Sequence, residues 1–165
     1  MSAPRRRLTI VRHAHAEARS SGQEDFERSL DKRGRREARE MAERVVELGL
    51  APDHLLTSPA DRAAETAREF AKALGFPLHR IRHDDRIYEA TRETLSAILR
   101  ASPPQASHVM IFGHNPGLSR LAAWASGEDG VELPTAGVYA MRYGLDRWVD
   151  LARDTCQRER FEMPG

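Results

Sequence analysis

The stretch Leu8-Thr9-Ile10-Val11-Arg12-His13-Ala14-His15 decides how the rest of the chain is interpreted. Its first half is a short apolar run with the β-branched residues that favour a buried strand, and its second half places an arginine beside a histidine. In open α/β sheets, ligands bind outside the carboxyl ends of the strands. The stretch therefore predicts a first strand at about Arg7–Val11 that delivers Arg12 and His13 to a site.

The remaining sequence alternates between strand and helix patterns, which predicts an α/β fold: a three-layer α/β/α sandwich with a mostly parallel central sheet. We expect one domain over residues 1–165, with a core at about 7–152 followed by a loosely held charged tail. The predicted helices are about Lys32–Leu48, a helix with Ser58 as N-cap and Pro59 and Asp61 in its first turn, Arg92–Arg100, and a helix begun by Asn115-Pro116. The other predicted strands are His54–Thr57, Arg80–Arg82, His108–Phe112, and a final hairpin of Val138–Tyr143 with Arg147–Leu151.

Composition limits the partners of the chain. It has 26 basic and 25 acidic residues, so no overall charge attracts it to nucleic acid or to an anionic membrane, and no apolar run is long enough to span a bilayer. The triplet Arg5-Arg6-Arg7 favours a solvated approach to the first strand, with a nucleic-acid tail as the alternative. A single cysteine, Cys156, suits a reducing compartment, and we expect a cytoplasmic protein.

Two further segments match the first in chemistry. Ser58-Pro59-Ala60-Asp61-Arg62 opens a helix with an arginine in its first turn, and Gly113-His114-Asn115-Pro116-Gly117 places a histidine just after another strand. If the strands are parallel neighbours, His13 and His114 line one crevice and Arg62 approaches it from the helix start, a favourable place for an anion.

This combination predicts phosphoryl transfer through histidine. A neutral imidazole attacks phosphorus, for which we choose His13, while the guanidinium groups of Arg12 and Arg62 bind phosphoryl oxygens and His114 supplies a second imidazole. Glu89 is the candidate proton donor to the leaving group, and Arg28 is a candidate substrate contact. No residue spacing requires a metal, since His13 and His15 are only two residues apart and Cys156 is remote, and no cofactor is expected.

Each feature also has a simpler interpretation. An Arg-His pair after a strand is usually a polar strand end, Ser-Pro-x-x-Arg is usually a helix start with a solvated arginine, and an isolated glutamate is usually a surface acid. Only their joint occurrence favours a catalytic site over these alternatives.

The same residues carry a resemblance to the histidine phosphatase superfamily of phosphoglycerate mutase-like fold, most closely to its small phosphohistidine phosphatase branch of the SixA type. The resemblance implies that His13 is the phosphorylated nucleophile, that Arg12, Arg62 and His114 complete the phosphate pocket, and that no metal takes part. The segments that carry it are Leu8–Ala14, Arg28-Ser29-Leu30 with Gly34, Leu56–Thr66, Tyr88-Glu89-Ala90, Gly113–Leu118 and Leu133–Gly137.

Departures from the family pattern bear on the substrate. Ala14 stands where many relatives have glycine, and the chain is too short for the insertions that cap the pocket in the larger mutases. An open site favours a protein-borne phosphate, so the leading hypothesis is a phosphatase of phosphohistidine on a phosphotransfer protein. The alternatives are a phosphatase of small phosphate esters with the same mechanism and, from another class, a non-catalytic phosphate-binding module. The oligomeric state is left open.

Overall fold

One six-stranded sheet organises the part of the chain that the computed structural model describes, residues 5–153 and 156–165. The strands lie in the order β3-β2-β4-β1-β5-β6, with β1 and β4 at the centre. The strands are β1 Arg5–Arg12, β2 His54–Thr57, β3 Arg82–His83, β4 His108–Gly113, β5 Val138–Gly144 and β6 Cys156–Glu162; the helices are α1 Lys32–Glu47, α2 Asp61–Leu74, α3 Arg92–Arg100 and α4 Gly117–Ser126.

The sheet buries both of its faces. Successive residues of β4 alternate between two apolar clusters, so that Val109 and Ile111 face one cluster while Met110 and Phe112 face the other. The first cluster includes buried apolar residues of α3 and α4, and the second includes buried apolar residues of α1 and α2. The predicted three-layer α/β/α arrangement is therefore confirmed.

Strand direction decides where polar groups meet. β3, β2, β4 and β1 are mutually parallel, whereas β5 pairs antiparallel with both of its neighbours, β1 and β6, so the sheet is mostly parallel as predicted. In the central pair Arg12 lies opposite Gly113. His13 and His114 consequently follow adjacent strands at the same edge of the sheet.

The prediction for the C-terminal hairpin is wrong. Residues Arg147–Leu151 contain a 3-10 helix at Trp148–Asp150, and the strand that pairs with β5 is β6, in the segment expected to be a loose tail. Trp148 is buried and its indole Nε1 donates to the carbonyl oxygen of Ala106 at 2.8 Å, so it fills the end of the core instead of extending the sheet. The charge that suggested a tail belongs to an edge strand, where charged residues are common.

Two helix starts also differ from prediction. α2 begins at Asp61, with Ala60 at its N-cap position. Ser58 lies two residues before this cap, and its Oγ contacts the backbone N–H of Ala60 and His114 Nε2. α4 begins at Gly117, although the Asn115 side chain still accepts a hydrogen bond from the backbone N–H of Ser119 at 3.1 Å. The other predicted helices and strands, apart from β3, begin and end within two residues of the observed ones.

The third strand is shifted along the chain. It was predicted at Arg80–Arg82, but residues Leu78–Arg80 form a 3-10 helix and β3 occupies Arg82–His83.

In the described ranges, no helix combines the length and apolar character needed to cross a membrane.

Candidate active site

The two histidines that follow β1 and β4 meet, as the sequence predicts. The ring centroids of His13 and His114 are 5.2 Å apart, with the rings tilted by 53°. Only 9% of the surface of His13 is exposed. A phosphorus atom that reached one ring would therefore also lie near the other.

Hydrogen bonding determines which nitrogen of His13 is free to react. Its Nδ1 lies 2.7 Å from the backbone carbonyl oxygen of Ala14, which can only accept, so Nδ1 carries the proton and Nε2 keeps its lone pair. Burial is the main cause that lowers the pKa of His13 to about 4, and the charges of Arg62, Arg12 and Arg28 act in the same direction. His13 is thus a neutral imidazole at pH 7 with Nε2 available as a nucleophile.

His114 is oriented by a short chain of hydrogen bonds. The backbone N–H of Ala60 donates to Ser58 Oγ at 3.2 Å, and Ser58 Oγ lies 2.8 Å from His114 Nε2. When the serine hydroxyl donates to Nε2, the ring proton of neutral His114 is on Nδ1. That Nδ1 atom is buried without a hydrogen-bond partner within the described residues, so it is free to donate to a bound group.

His114 also stays neutral. Burial is the largest cause that lowers its pKa to about 3, followed by the nearby charges of His13 and Arg62. A neutral imidazole that donates from Nδ1 is suited to hydrogen-bond an oxygen of a phosphoryl group.

Arg12 is the second buried group with unused hydrogen-bonding capacity. Its Nη1 donates to the backbone carbonyl oxygen of Leu133 at 3.0 Å, whereas its Nε is buried and, among the described residues, has no partner. Asn115 Nδ2 donates to the same carbonyl oxygen at 2.9 Å. The Leu133 carbonyl oxygen thus connects Arg12 to Asn115, the residue that follows His114. An anion bound here would satisfy the unpaired Nε of Arg12 and Nδ1 of His114 together.

Arg62 reaches the site from the first turn of α2. It is 6% exposed, and its guanidinium group binds Asp25 twice, with Nη1 donating to the carbonyl oxygen at 2.8 Å and Nη2 to the carboxylate at 3.0 Å. Thr66, one turn along α2, accepts a hydrogen bond from the backbone N–H of Ala14 and donates to the carbonyl oxygen of Arg62. These bonds connect the His13 segment directly to the helix that carries Arg62.

Arg28 and Tyr88 approach from the same side. Arg28 Nη1 donates to Asp25 Oδ1 at 3.0 Å, and the Tyr88 hydroxyl donates to Asp25 Oδ2 at 2.6 Å. The Tyr88 ring packs edge-on against the His114 ring, with a centroid distance of 5.5 Å. Arg28 is therefore joined through Asp25 to Arg62 and Tyr88, and its role as a substrate contact stays a prediction.

Glu89 is placed differently from the other candidates. It is exposed, its backbone φ is 54°, and among the described residues its carboxylate has no hydrogen bond or ion pair. It follows Tyr88 directly, so it lies beside the residue that contacts His114. Its assignment as proton donor stays a prediction.

A close backbone approach explains Gly34 in the first turn of α1. A Cβ atom on this residue would lie 1.8 Å from the backbone oxygen of His15, so any side chain would force the chain apart. The backbone N–H of His15 also donates to Glu37 of α1 at 3.1 Å. Helix α1 therefore holds the segment that follows His13.

Sequence reasoning missed several residues that build the site. The sequence does not indicate Asp25 or Tyr88 as site residues, because their loops show no periodic pattern. Asp25 is also far along the chain from both Arg62 and Tyr88. Ser58 was interpreted as a helix cap. In the described ranges, no three acidic, histidine or cysteine side chains come close enough to hold a metal ion.

Comparison with known proteins places this geometry in a family. Residues 8–96 match the sequence model of the histidine phosphatase superfamily (branch 1). An uncharacterized protein of a Picosynechococcus species is 33% identical over 150 residues, which cover 85% of this chain and 87% of that protein.

Solved structures agree. The SixA protein of Agrobacterium tumefaciens, assigned as a phosphohistidine phosphatase, superposes with a TM-score of 0.83 at 28% identity and covers 97% of this chain and 99% of its own. A protein histidine phosphatase SixA in complex with tungstate superposes with a TM-score of 0.81 at 20% identity, covering 96% of this chain and 97% of its own. At that identity the second likeness supports the fold alone.

Proposed function

Since this chain belongs to the histidine phosphatase superfamily and is a phosphatase, we propose that its substrate is phosphohistidine on a protein, with His13 as the transient phosphoryl acceptor. The observation that carries the mechanism is the bond from His13 Nδ1 to the carbonyl oxygen of Ala14, which leaves Nε2 with a free lone pair among arginine side chains.

In the first step, His13 Nε2 attacks phosphorus and the bond from phosphorus to the substrate imidazole breaks. The electron pair of that bond goes to the leaving nitrogen, which takes a proton from solvent to become neutral histidine. Arg12 and Arg62 bind the phosphoryl oxygens, and Nδ1 of His114 donates to one of them. A phosphoramidate bond is labile, so this step places a smaller demand on a proton donor such as Glu89 than ester cleavage does.

In the second step, water attacks the phosphorus of phosphorylated His13. The bond from phosphorus to Nε2 breaks, its electron pair returns to the imidazole, and inorganic phosphate leaves. The low pKa of His13 suits this step as well, because the released ring has little tendency to hold a proton and returns as a neutral nucleophile.

Two facts support a protein-borne substrate. At 165 residues the chain has no large insertion to enclose the pocket, so the histidine of a folded partner has room to approach. The Agrobacterium SixA protein, which matches along nearly the whole chain, is assigned as a phosphohistidine phosphatase.

The test is phosphate release from a phosphohistidine-bearing phosphotransfer domain without added metal. We expect release by wild type and none by His13→Ala, because the variant lacks the acceptor nitrogen. His79→Ala is the matched control, since His79 is exposed and lies in the 3-10 helix Leu78–Arg80, and it should match wild type. Rapid quenching with radiolabelled substrate should trap phosphate on His13.

The remaining outcomes separate the alternatives. Turnover of metabolite phosphates with no release from the phosphotransfer domain would make the protein a small-ester phosphatase that uses the same histidine. Binding of phosphate with no turnover and no label on His13 would indicate a binding module and contradict the proposed mechanism.

A further inference from the structure

A single carboxylate connects three side chains of the candidate site. Asp25 accepts from Arg62 and from the Tyr88 hydroxyl on Oδ2, and from Arg28 on Oδ1. The backbone carbonyl oxygen of Asp25 accepts a further bond from Arg62. The three donors come from three parts of the chain, so Asp25 is the point at which they are joined.

Arg62 depends on Asp25 for its orientation. Both acceptors of its guanidinium group among the described residues belong to Asp25, on the side chain and on the backbone. A guanidinium group has five N–H donors, so three remain for a phosphoryl group while these two bonds hold the plane of the group. Asp25 therefore occupies only part of the binding capacity of Arg62.

Arg28 is held in a similar way. Its Nη1 binds Asp25 and its Nε donates to the carbonyl oxygen of Glu17 at 2.8 Å. Arg28 and Arg62 carry like charges, and a carboxylate between them offsets the repulsion that would otherwise separate them. The charges of both arginines help to lower the pKa of His13.

We propose that Asp25 is a positioning residue that holds Arg62 and Arg28 in the arrangement that receives the phosphoryl group. This inference rests on the proposed function for the identity of the anion. Asp25 does not touch the phosphoryl group; it acts through the two guanidinium groups, which bind an anion more tightly when their orientation is set in advance.

Charge repulsion and positioning predict opposite effects of Asp25 on phosphate affinity, which makes the inference testable. Asp25 is an anion beside an anion site, and hydrogen bonds from Tyr88 and Arg28 are the main causes that hold its pKa well below the usual range. If it only competed with phosphate for the arginines, its neutralisation would strengthen phosphate binding. If it positions the arginines, the same change weakens phosphate binding.

The experiment measures the Kd of inorganic phosphate by calorimetry for wild type, Asp25→Asn and Asp25→Ala. The matched control is Asp150→Asn. Asp150 also pairs with an arginine three residues away, and it lies in a 3-10 helix at the end of the sheet opposite the candidate site. We expect both Asp25 variants to bind phosphate roughly tenfold more weakly, the scale of one charge-assisted hydrogen bond, while the control matches wild type.

A spectroscopic signature separates positioning from a general loss of structure. Slowed rotation of the Arg62 guanidinium group should give separate Nη signals in wild type, assigned by their absence in Arg62→Lys, and these should merge in Asp25→Asn. The Asp25 side chain is 38% exposed, so the variants should retain the wild-type melting temperature within a few degrees.

Each outcome decides. Equal or tighter phosphate binding by Asp25→Asn, or unchanged Arg62 signals, would overturn the positioning role and leave the proposed function standing. A wild-type protein that binds no phosphate would instead overturn the proposed function and this inference with it.

Discussion

At the scale of single residues, the direction of two hydrogen bonds gives the neighbouring histidines different roles. His13 donates from Nδ1 to a carbonyl oxygen and so presents a lone pair at Nε2. His114 Nε2 lies 2.8 Å from Ser58 Oγ, and when the serine hydroxyl donates to Nε2, the proton of the ring is on Nδ1, which can then donate. In the proposed mechanism, these two imidazoles serve as the nucleophile and as a hydrogen-bond donor.

Removal of the Ser58 hydroxyl tests this assignment. In Ser58→Ala, the His114 ring loses the partner that fixes its orientation and the position of its proton. We expect kcat to fall roughly tenfold, since one hydrogen bond contributes on the order of 1 kcal/mol, with a smaller change in KM. The measurement is steady-state phosphate release, with Ser96→Ala as the control because Ser96 is equally buried but lies in α3.

The His114 assignment would be wrong if Ser58→Ala and Ser96→Ala were equally active. The sequence alone could place His13 and His114 at strand ends, since both follow apolar runs, but it did not show that these two strands are neighbours. It could not assign their protons, because these depend on Ser58 and Ala14 contacts that no spacing reveals. The sequence could not identify Asp25 as a site residue for the same reason, because its partner Arg62 is 37 positions away along the chain.

At the scale of secondary-structure elements, the C-terminal strand is the main difference between prediction and structure. β6 pairs antiparallel with β5, and Phe161 packs against Tyr139 with a ring centroid distance of 5.2 Å. Sequence patterns could predict the helices and central strands because each has a clear apolar period. They failed for β6 because a charge-rich edge strand resembles a solvated tail.

Phe161→Ala distinguishes a packed strand from a loose tail. We expect the free energy of unfolding to fall by about 1–3 kcal/mol, less than for a fully buried phenylalanine because Phe161 is only partly buried. The measurement is urea unfolding, with Met163→Ala as control since Met163 is 53% exposed just beyond the strand. Equal stabilities of the two variants would argue that the segment does not pack.

At the scale of the whole molecule, the histidines of the site make folding stability depend on pH. The pKa values of His13 and His114 are about 4 and about 3 in the folded protein, below the ordinary value of 6.5. The unfolded chain therefore binds protons first as the pH falls. The stability contributed by the neutral rings is fully present above about pH 7 and is lost as the pH drops through 6.5 towards 4.

Between pH 7 and pH 5 we expect each of these histidines to reduce the free energy of unfolding by about 2 kcal/mol. Urea unfolding at several pH values should show a smaller loss in His114→Gln than in wild type. His79→Gln, which changes an exposed histidine, should keep the wild-type dependence. The same slope in His114→Gln and wild type would contradict the lowered pKa of His114.

The strand order has a consequence for how the protein is made. β1 is synthesised before the other five strands of the sheet, yet its two neighbours, β4 and β5, come roughly 100 and 130 residues later in the chain. Until then the apolar run Leu8–Val11 has no partner strand and is exposed to chaperones or to other nascent chains. Synthesis must therefore pass β5 before both sides of β1, the strand that carries Arg12, are paired.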